Sequence, residues 1–561
     1  MTLRGAHLAL RCLKLEGVRK LFTIVGDTIL PICDAAVDEG MELVDTRHEA
    51  AALHMADAWA RVTGEPAVAL VTGGPGFANA ISALPPIHAS ESPVILLAGC
   101  GELAERGMYG FQEIDQVGLA APATKGAWMV PDRRRIPDMI ATAFRTALEG
   151  RRGPVHLTVP IDIQEAVVAE TDMHAYPPDE YRSPGVALGD PALVQQAIAV
   201  LRVADRPVVV AANAARASLA PETLRELIET TNLPCFTVEQ ARGLLSDDHP
   251  LCFGYADPAL NDTAKHFREA DVILLLGKRL DHRYRYGRTP FFDAAAKLIQ
   301  VDPSPAEIGR NRGVHVGILG DIGAVVGQMT AAARDAGPGV GRWTGVAAWR
   351  RQLAETRNAQ RRRFEAFGTD ETPLHAMRVL RDVDAMTDDD TVLVVDGGDF
   401  AGWARSYLKA RNPGGWLRLG PLGQLGCGVP YAIAAKLARP EAEVMLLIGD
   451  GSFGFYGIEY DTAVRHGAAF TAVMGNDALW GIDRNFQLAY YGRAVGTELR
   501  PVRYDKMVDA LGGFGEHVTQ PGEIAPAIRR ARESGRPSLV SVAIRNTPCP
   551  LADAMMARKT R

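Results

Sequence analysis

The chain has few of the features that mark specialised protein classes. Among its 561 residues no apolar run approaches the roughly 20 residues of a membrane helix. The start MTLRGAHLALRCLKLEG reads as an amphipathic helix and not as a signal peptide. Cysteine is sparse: Cys12, Cys33, Cys100, Cys235, Cys252, Cys427 and Cys549 are scattered without C-x-x-C spacing, so neither a disulfide framework nor a zinc site is indicated. A reducing, cytoplasmic interior is the expected setting. Long runs of like charge are also missing, and a net charge of −6 gives no reason to expect nucleic acid or a membrane surface as partner. What is present is 47% hydrophobic residues, 23% charged residues and 56 glycines, the composition of a soluble α/β protein. The length is too great for one core and implies about three domains.

Short β-branched runs alternate with longer segments of helical period. AVALVTGGPG (67–76), PVILLAGC (93–100) and PVHLTVP (154–160) are strand candidates in the first third, with EAAALHMADAWARVTG as a helix between. The polar, proline-containing stretch 169–185 reads as a linker. RPVVVAAN (206–213), DVILLLG (271–277) and KLIQVDPSP (297–305) form a second set, and a break rich in Gly, Ala and Arg runs from about 333 to 370. The last third repeats the pattern with DTVLVVDGGD (390–399), EVMLLIGDG (443–451), FTAVMGND (470–477) and SLVSVAIRN (538–546). The expected fold class is α/β, with three tandem doubly wound parallel-sheet domains over 1–168, 188–333 and 370–548 and a C-terminal tail over 549–561.

In such sheets ligands bind beyond the carboxyl ends of strands, where glycines let the backbone approach a phosphate. DGGD and GDGS both end strands of the third domain. Asp450 in GDG offers a hard carboxylate oxygen, and Asn476, 26 positions later at the next strand end, offers a neutral one. An Mg²⁺ ion that takes few protein oxygens and completes its shell with a diphosphate fits those residue types. G-D-G alone is equally a tight turn; the strand-end Asn is what adds weight.

GDG followed by that Asn resembles the diphosphate and metal motif of thiamine-diphosphate enzymes. DTRHEAAALHMADAWAR, GFQEIDQ, GPVHLTVP, IQVDPSPAEIGRNR, DGGDF and VMGNDALWG extend the resemblance along nearly the whole chain, closest to the acetolactate-synthase-like branch that includes 2-hydroxyacyl-CoA lyases, oxalyl-CoA decarboxylase and benzaldehyde lyase. The resemblance implies that Asp450, Asn476 and the backbone carbonyl of Ala478 hold Mg²⁺ against the cofactor's diphosphate. Gly451, Ser452, Asp399, Phe400 and Trp480 would line that pocket. Glu49 in RHEAA matches the Glu that hydrogen-bonds N1′ of the cofactor's pyrimidine and promotes loss of the thiazolium C2 proton. Leu425 matches the bulky residue under the thiazolium, Gly423 offers its carbonyl to the 4′-amino group, and Gln112 faces the reacting carbon. Thr28 stands where benzaldehyde lyase presents a His, which counts against aryl-lyase chemistry. GND departs from the two successive asparagines of many relatives, since Gly475 takes the first position. GGPG (73–76) reads as a packing loop of the first domain and not as a dinucleotide turn.

The resemblance further implies a small-molecule substrate, a 2-hydroxyacyl-CoA or a 2-oxo acid and aldehyde, and a reversible C–C lyase reaction that gives an aldehyde or ketone plus formyl-CoA. The Gln-His-Gln of true acetolactate synthases is missing at Gly398–Phe400. Acetolactate synthase, or another 2-oxo-acid decarboxylase or carboligase, is the alternative, and a non-catalytic cofactor-binding protein is the reading of a different class. The arginine-rich GKRLDHRYRYGR (277–288) in the middle domain and the basic end ARKTR (557–561) are candidates to hold an ADP or CoA phosphate; as solvated arginines they are equally ordinary. Family members build the site across a subunit boundary, so a homodimer or homotetramer is expected.

Overall fold

The computed structural model describes residues 3–169, 175–183, 185–335 and 346–559. Three six-stranded sheets are present, each parallel throughout. The first contains β1 (Lys20–Ile24), β2 (Glu42–Asp45), β3 (Ala67–Val71), β4 (Val94–Cys100), β5 (Gly126–Met129) and β6 (Val155–Pro160), in the order β2-β1-β3-β4-β6-β5. The second contains β7 (Pro207–Ala211), β8 (Cys235–Thr237), β9 (Cys252–Tyr255), β10 (Val272–Leu276), β11 (Lys297–Asp302) and β12 (Val316–Leu319), in the order β12-β11-β10-β7-β8-β9. The third contains β13 (Val392–Asp396), β14 (Trp416–Arg418), β15 (Val444–Gly449), β16 (Thr471–Asn476), β17 (Phe514–Val518) and β18 (Ser538–Ala543), in the order β14-β13-β15-β16-β18-β17.

The third sheet thus repeats the strand order of the first, while the middle one has the order of a dinucleotide-binding domain. Runs such as VILLL in β10 and VLVVD in β13 are buried on both faces, because parallel strands are covered by helices on each side.

The described residues group into two compact units. One comprises Met1–Gly185 with Leu419–Pro440 and Tyr456–Ala468, and the other Val186–Arg418 with Glu441–Phe455 and Ala469–Arg561. In the second unit one apolar core, running from Phe236 and Phe292 to Val473 and Val540, is shared by the middle and third sheets.

The first helix, Gly5–Leu15, is amphipathic as expected: Arg11, Lys14 and Leu15 face outward, while Ala6, Leu8, Leu10, Cys12 and Leu13 are buried. Two local expectations are corrected. The break expected over 333–370 contains a 21-residue helix, Val346–Ala366. Its Ala, Arg, Gln and Glu residues are good helix formers, and Val346, Trp349, Leu353, Gln360 and Phe364 bury one stripe. The stretch at 549–561 is a helix over Pro550–Lys559; of the basic end ARKTR, residues 560–561 lie outside the described residues. No helix among the described residues is long and apolar enough to cross a membrane.

Candidate functional site

In the second unit, adjacent strands β13, β15 and β16 bring three loops to one sheet edge, with Asp396 beside Ile448 and Gly449 beside Gly475. Between β13 and β15 the chain order reverses, the place where open α/β sheets form a ligand crevice. Gly397 sits there with φ 123°, and a Cβ on it would stand 3.0 Å from the Gly449 nitrogen. Only a bare backbone fits that approach.

Asp450 follows β15 and is almost fully buried, and its Oδ2 has no hydrogen-bond partner. Burial and then the neighbouring Asp477 carboxylate push its carboxyl up to about 7. Burial likewise raises Asp477, which accepts from Asn546 Nδ2 at 2.9 Å. Two carboxylates with an orphaned oxygen in a buried recess are short of positive charge, so the donor set fits a hard cation. Asn476, at the end of β16, uses its amide nitrogen toward Val502 O (3.3 Å) and Ser541 Oγ (3.4 Å), which leaves Oδ1 available. Ala478 takes the left-handed conformation, φ 56°, and its carbonyl accepts from Leu499 N at 2.8 Å with one lone pair to spare.

Around this recess the Trp480 ring covers Gly451, where an added Cβ would come within 2.8 Å of it. Ser452 is buried. Asp399 opens the helix Asp399–Tyr407 and accepts from Cys549 N at 2.8 Å and Asn485 Nδ2 at 2.9 Å, while burial raises its pKa. Phe400 is buried with its ring against Gly475.

In the first unit, loops after β1, β2, β3 and β4 carry the other candidates. Glu49 begins the helix Glu49–Thr63, whose cap is the His48 side chain accepting from Ala50 N. The Glu49 carboxylate is half-buried and accepts from Asn79 Nδ2 at 3.0 Å. Thr28 is buried: its hydroxyl meets Thr72 Oγ1 at 3.0 Å and accepts from Gly73 N at 2.8 Å, so it clasps the GGPG loop. Gln112 has φ 61° and packs its Cβ on Gly74, and its buried Oε1 has no partner. Gly423, φ 88°, is exposed, and Leu425 is half-buried. The Glu49 helix is clamped deeper down, where Arg61 binds Asp57 through two bonds of 2.8 and 2.7 Å and Tyr431 donates to the same carboxylate.

Asn79, Asp477, Asn485, Asn546 and Tyr431 are not legible in the sequence, because they meet Glu49, Asn546, Asp399, Asp477 and Asp57 across 30 to 374 positions of chain; only the i,i+4 spacing of Asp57 and Arg61 is a usable signal. In the arginine-rich stretch after β10, Lys278 pairs with Asp281 at 2.5 Å, Arg279 with Glu307 at 3.1 Å and Arg283 with Asp257 at 3.6 Å.

Three family models match in sequence order: thiamine pyrophosphate enzyme, N-terminal TPP binding domain over 3–119, central domain over 194–329, and C-terminal TPP binding domain over 396–542. The chain is 35% identical over 543 residues to a probable acetolactate synthase of Mycobacterium bovis, covering 96% of both chains. It is 33% identical over 589 residues to 2-hydroxyacyl-CoA lyase 2 of Bos taurus, covering 97% of this chain and 91% of that one. A probable acetolactate synthase large subunit of Methanocaldococcus jannaschii is 30% identical over 560 residues, with 97% and 92% covered.

Proposed function

The chain belongs to the thiamine pyrophosphate enzyme family, and from that premise we propose that it is a carbon–carbon lyase or carboligase of the 2-hydroxyacyl-CoA lyase type, releasing an aldehyde or ketone and formyl-CoA and able to run in reverse. The observation that carries the cofactor reading is the buried, unpartnered Asp450 oxygen beside Asp477 at the switch-point crevice. Asp450, Asn476 Oδ1 and the Ala478 carbonyl would hold Mg²⁺. Gly451, Ser452, Asp399, Phe400 and Trp480 would enclose the diphosphate. When bound, thiamine diphosphate supplies an acidic thiazolium carbon and an electron sink for breaking or making the bond next to a carbonyl.

Glu49 would hold the proton at N1′ of the pyrimidine, with Asn79 fixing the carboxylate. The Gly423 carbonyl would accept from the 4′-amino group, Leu425 would prop the ring system, and Gln112 would face the reacting carbon. Thr28 would keep the loop after β1 closed on Thr72 and Gly73. The middle sheet's strand order supports an ADP or CoA phosphate at the carboxyl ends of β7 and β10, where 277–288 begins. We further propose a homodimer, or a tetramer of two such pairs, as the active assembly.

The lyase reading is supported by Gly398–Phe400, where acetolactate synthases carry Gln-His-Gln and this chain has Gly-Asp-Phe. The acetolactate synthase reading is favoured by the 35% identity to the mycobacterial relative. Pyruvate, aromatic acyloins and a short 2-hydroxyacyl-CoA offered in parallel separate the two. Release of formyl-CoA supports the lyase, whereas acetolactate from pyruvate alone replaces it by the synthase. A protein that binds thiamine diphosphate without accelerating exchange of its C2 proton would be a non-catalytic relative.

A further inference from the structure

A cavity of about 300 Å³ lies in the second unit, beside the edge strand β9, the helix Val346–Ala366 and the end of the helix Asp399–Tyr407. Most charges on its wall are matched. Arg242 pairs with Asp247, Lys409 with Asp248 at 2.5 Å and Arg361 with Asp384 at 2.8 Å. Arg405 and Arg357 also line it, and neither meets a carboxylate among the described residues.

Arg405 is the more telling of the two. It is only 7% exposed, its Nη2 donates to the Tyr255 hydroxyl at 3.2 Å, and its Nε has no hydrogen-bond partner. The neighbouring carboxylates are already committed: Glu239 is held by Arg418 at 2.5 and 2.6 Å, and Asp257 faces Arg283 at 3.6 Å. Three guanidiniums therefore share two carboxylates, and Arg405 is the surplus. An arginine cannot shed its charge as a buried lysine can. Stacking on the Tyr255 ring, 5.1 Å from its centre, offsets only part of the desolvation cost. Arg357, which spans the Phe253 ring and donates to the Cys252 carbonyl at 2.8 Å, adds a second unmatched cation to the same wall. No carboxylate among the described residues supplies the missing negative charge.

We propose that this cavity binds a small oxyanion, the phosphate or carboxylate group of an organic metabolite, between the Arg405 and Arg357 guanidiniums. Their planar donor forks suit either group. Phe253, Tyr255 and Tyr407 line the remaining volume, which accepts a flat body behind the anionic head. The site shares no residue with Asp450, Asn476 or the stretch 277–288, and it does not depend on the reaction proposed above.

Inorganic phosphate, adenosine monophosphate and benzoate, titrated calorimetrically at constant ionic strength into the full chain, test this and separate the two head groups. At least one of them binds saturably to the wild type and to Asp450→Ala, and at least tenfold more weakly to Arg405→Gln and to Arg357→Gln. Arg405→Gln without ligand melts no lower than the wild type, because it removes an unmatched buried charge. Should that variant fail to fold, Arg357→Gln, at a half-buried helix position, decides alone. The proposal is overturned if none of the three anions binds saturably, if both arginine variants bind as the wild type does, or if Asp450→Ala abolishes the binding and so assigns it to the third sheet's crevice.

Discussion

Gly475 and Phe400 interlock: a Cβ added to Gly475 would stand 2.5 Å from the Phe400 ring. The ring fills the space that a side chain at position 475 would need. Gly475→Asn therefore overpacks the site and costs about 1–3 kcal/mol in urea unfolding. Pairing it with Phe400→Ala recovers a large part of that loss, and an additive double variant would break the link between the two positions.

Glu49→Gln leaves the fold intact, because the amide oxygen can still accept from Asn79 Nδ2. Without the ionisable carboxyl, turnover falls by roughly 10²–10⁴-fold, the scale of a lost acid–base group. Exchange of the thiamine diphosphate C2 proton, followed by NMR, is the check, and a near-normal rate removes Glu49 from the chemistry.

Asp450→Ala abolishes Mg²⁺-dependent affinity for thiamine diphosphate, read by calorimetry. The apo-protein melts no lower than the wild type, since the change removes a buried carboxyl whose Oδ2 has no partner and which faces Asp477. A destabilised apo-variant with unchanged affinity would make Asp450 structural.

His54 governs part of the acid limb of stability. It is fully buried between the Tyr431 and Tyr456 rings, neither ring nitrogen has a partner, and burial lowers its pKa from 6.5 to about 4. The unfolded chain takes up the proton first as the pH falls, so this contribution is complete above pH 6.5 and is lost between 6.5 and about 4. The slope is about 1.4 kcal/mol per pH unit. His54→Leu should flatten unfolding free energy against pH in that window, and an unchanged slope would place the titration at other groups.

Mixed assemblies test subunit sharing. Glu49→Gln and Asp450→Ala, each inactive alone, regain about a quarter of wild-type activity when co-expressed, because about half the dimers are mixed and each has one intact site. Demonstrated mixed dimers without activity would mean that each chain completes its own site.

The elements around the candidate site were legible because parallel strands covered on both faces leave uninterrupted apolar runs. VLVVDGGD and VMLLIGDG show both the strand and the glycines that end it. Composition misled where it stood in for periodicity: the Gly, Ala and Arg content of 333–370 concealed the helix Val346–Ala366, whose stripe of Trp349, Leu353 and Phe364 was there to count.

The sequence by itself determined which short-range chemistry was available: a carboxylate after β15, an amide at the end of β16, a Glu opening the helix after β2. These depend on neighbours a few positions away and on the period of the chain. Tertiary structure alone decided what that chemistry faces. Asp450 became an orphaned oxygen beside Asp477, Glu49 acquired Asn79, and Arg405 was left the unmatched cation among Glu239, Arg418 and Arg283. Charge balance and desolvation are sums over everything that packing brings together, and Glu239 and Arg418 meet across 179 positions of chain.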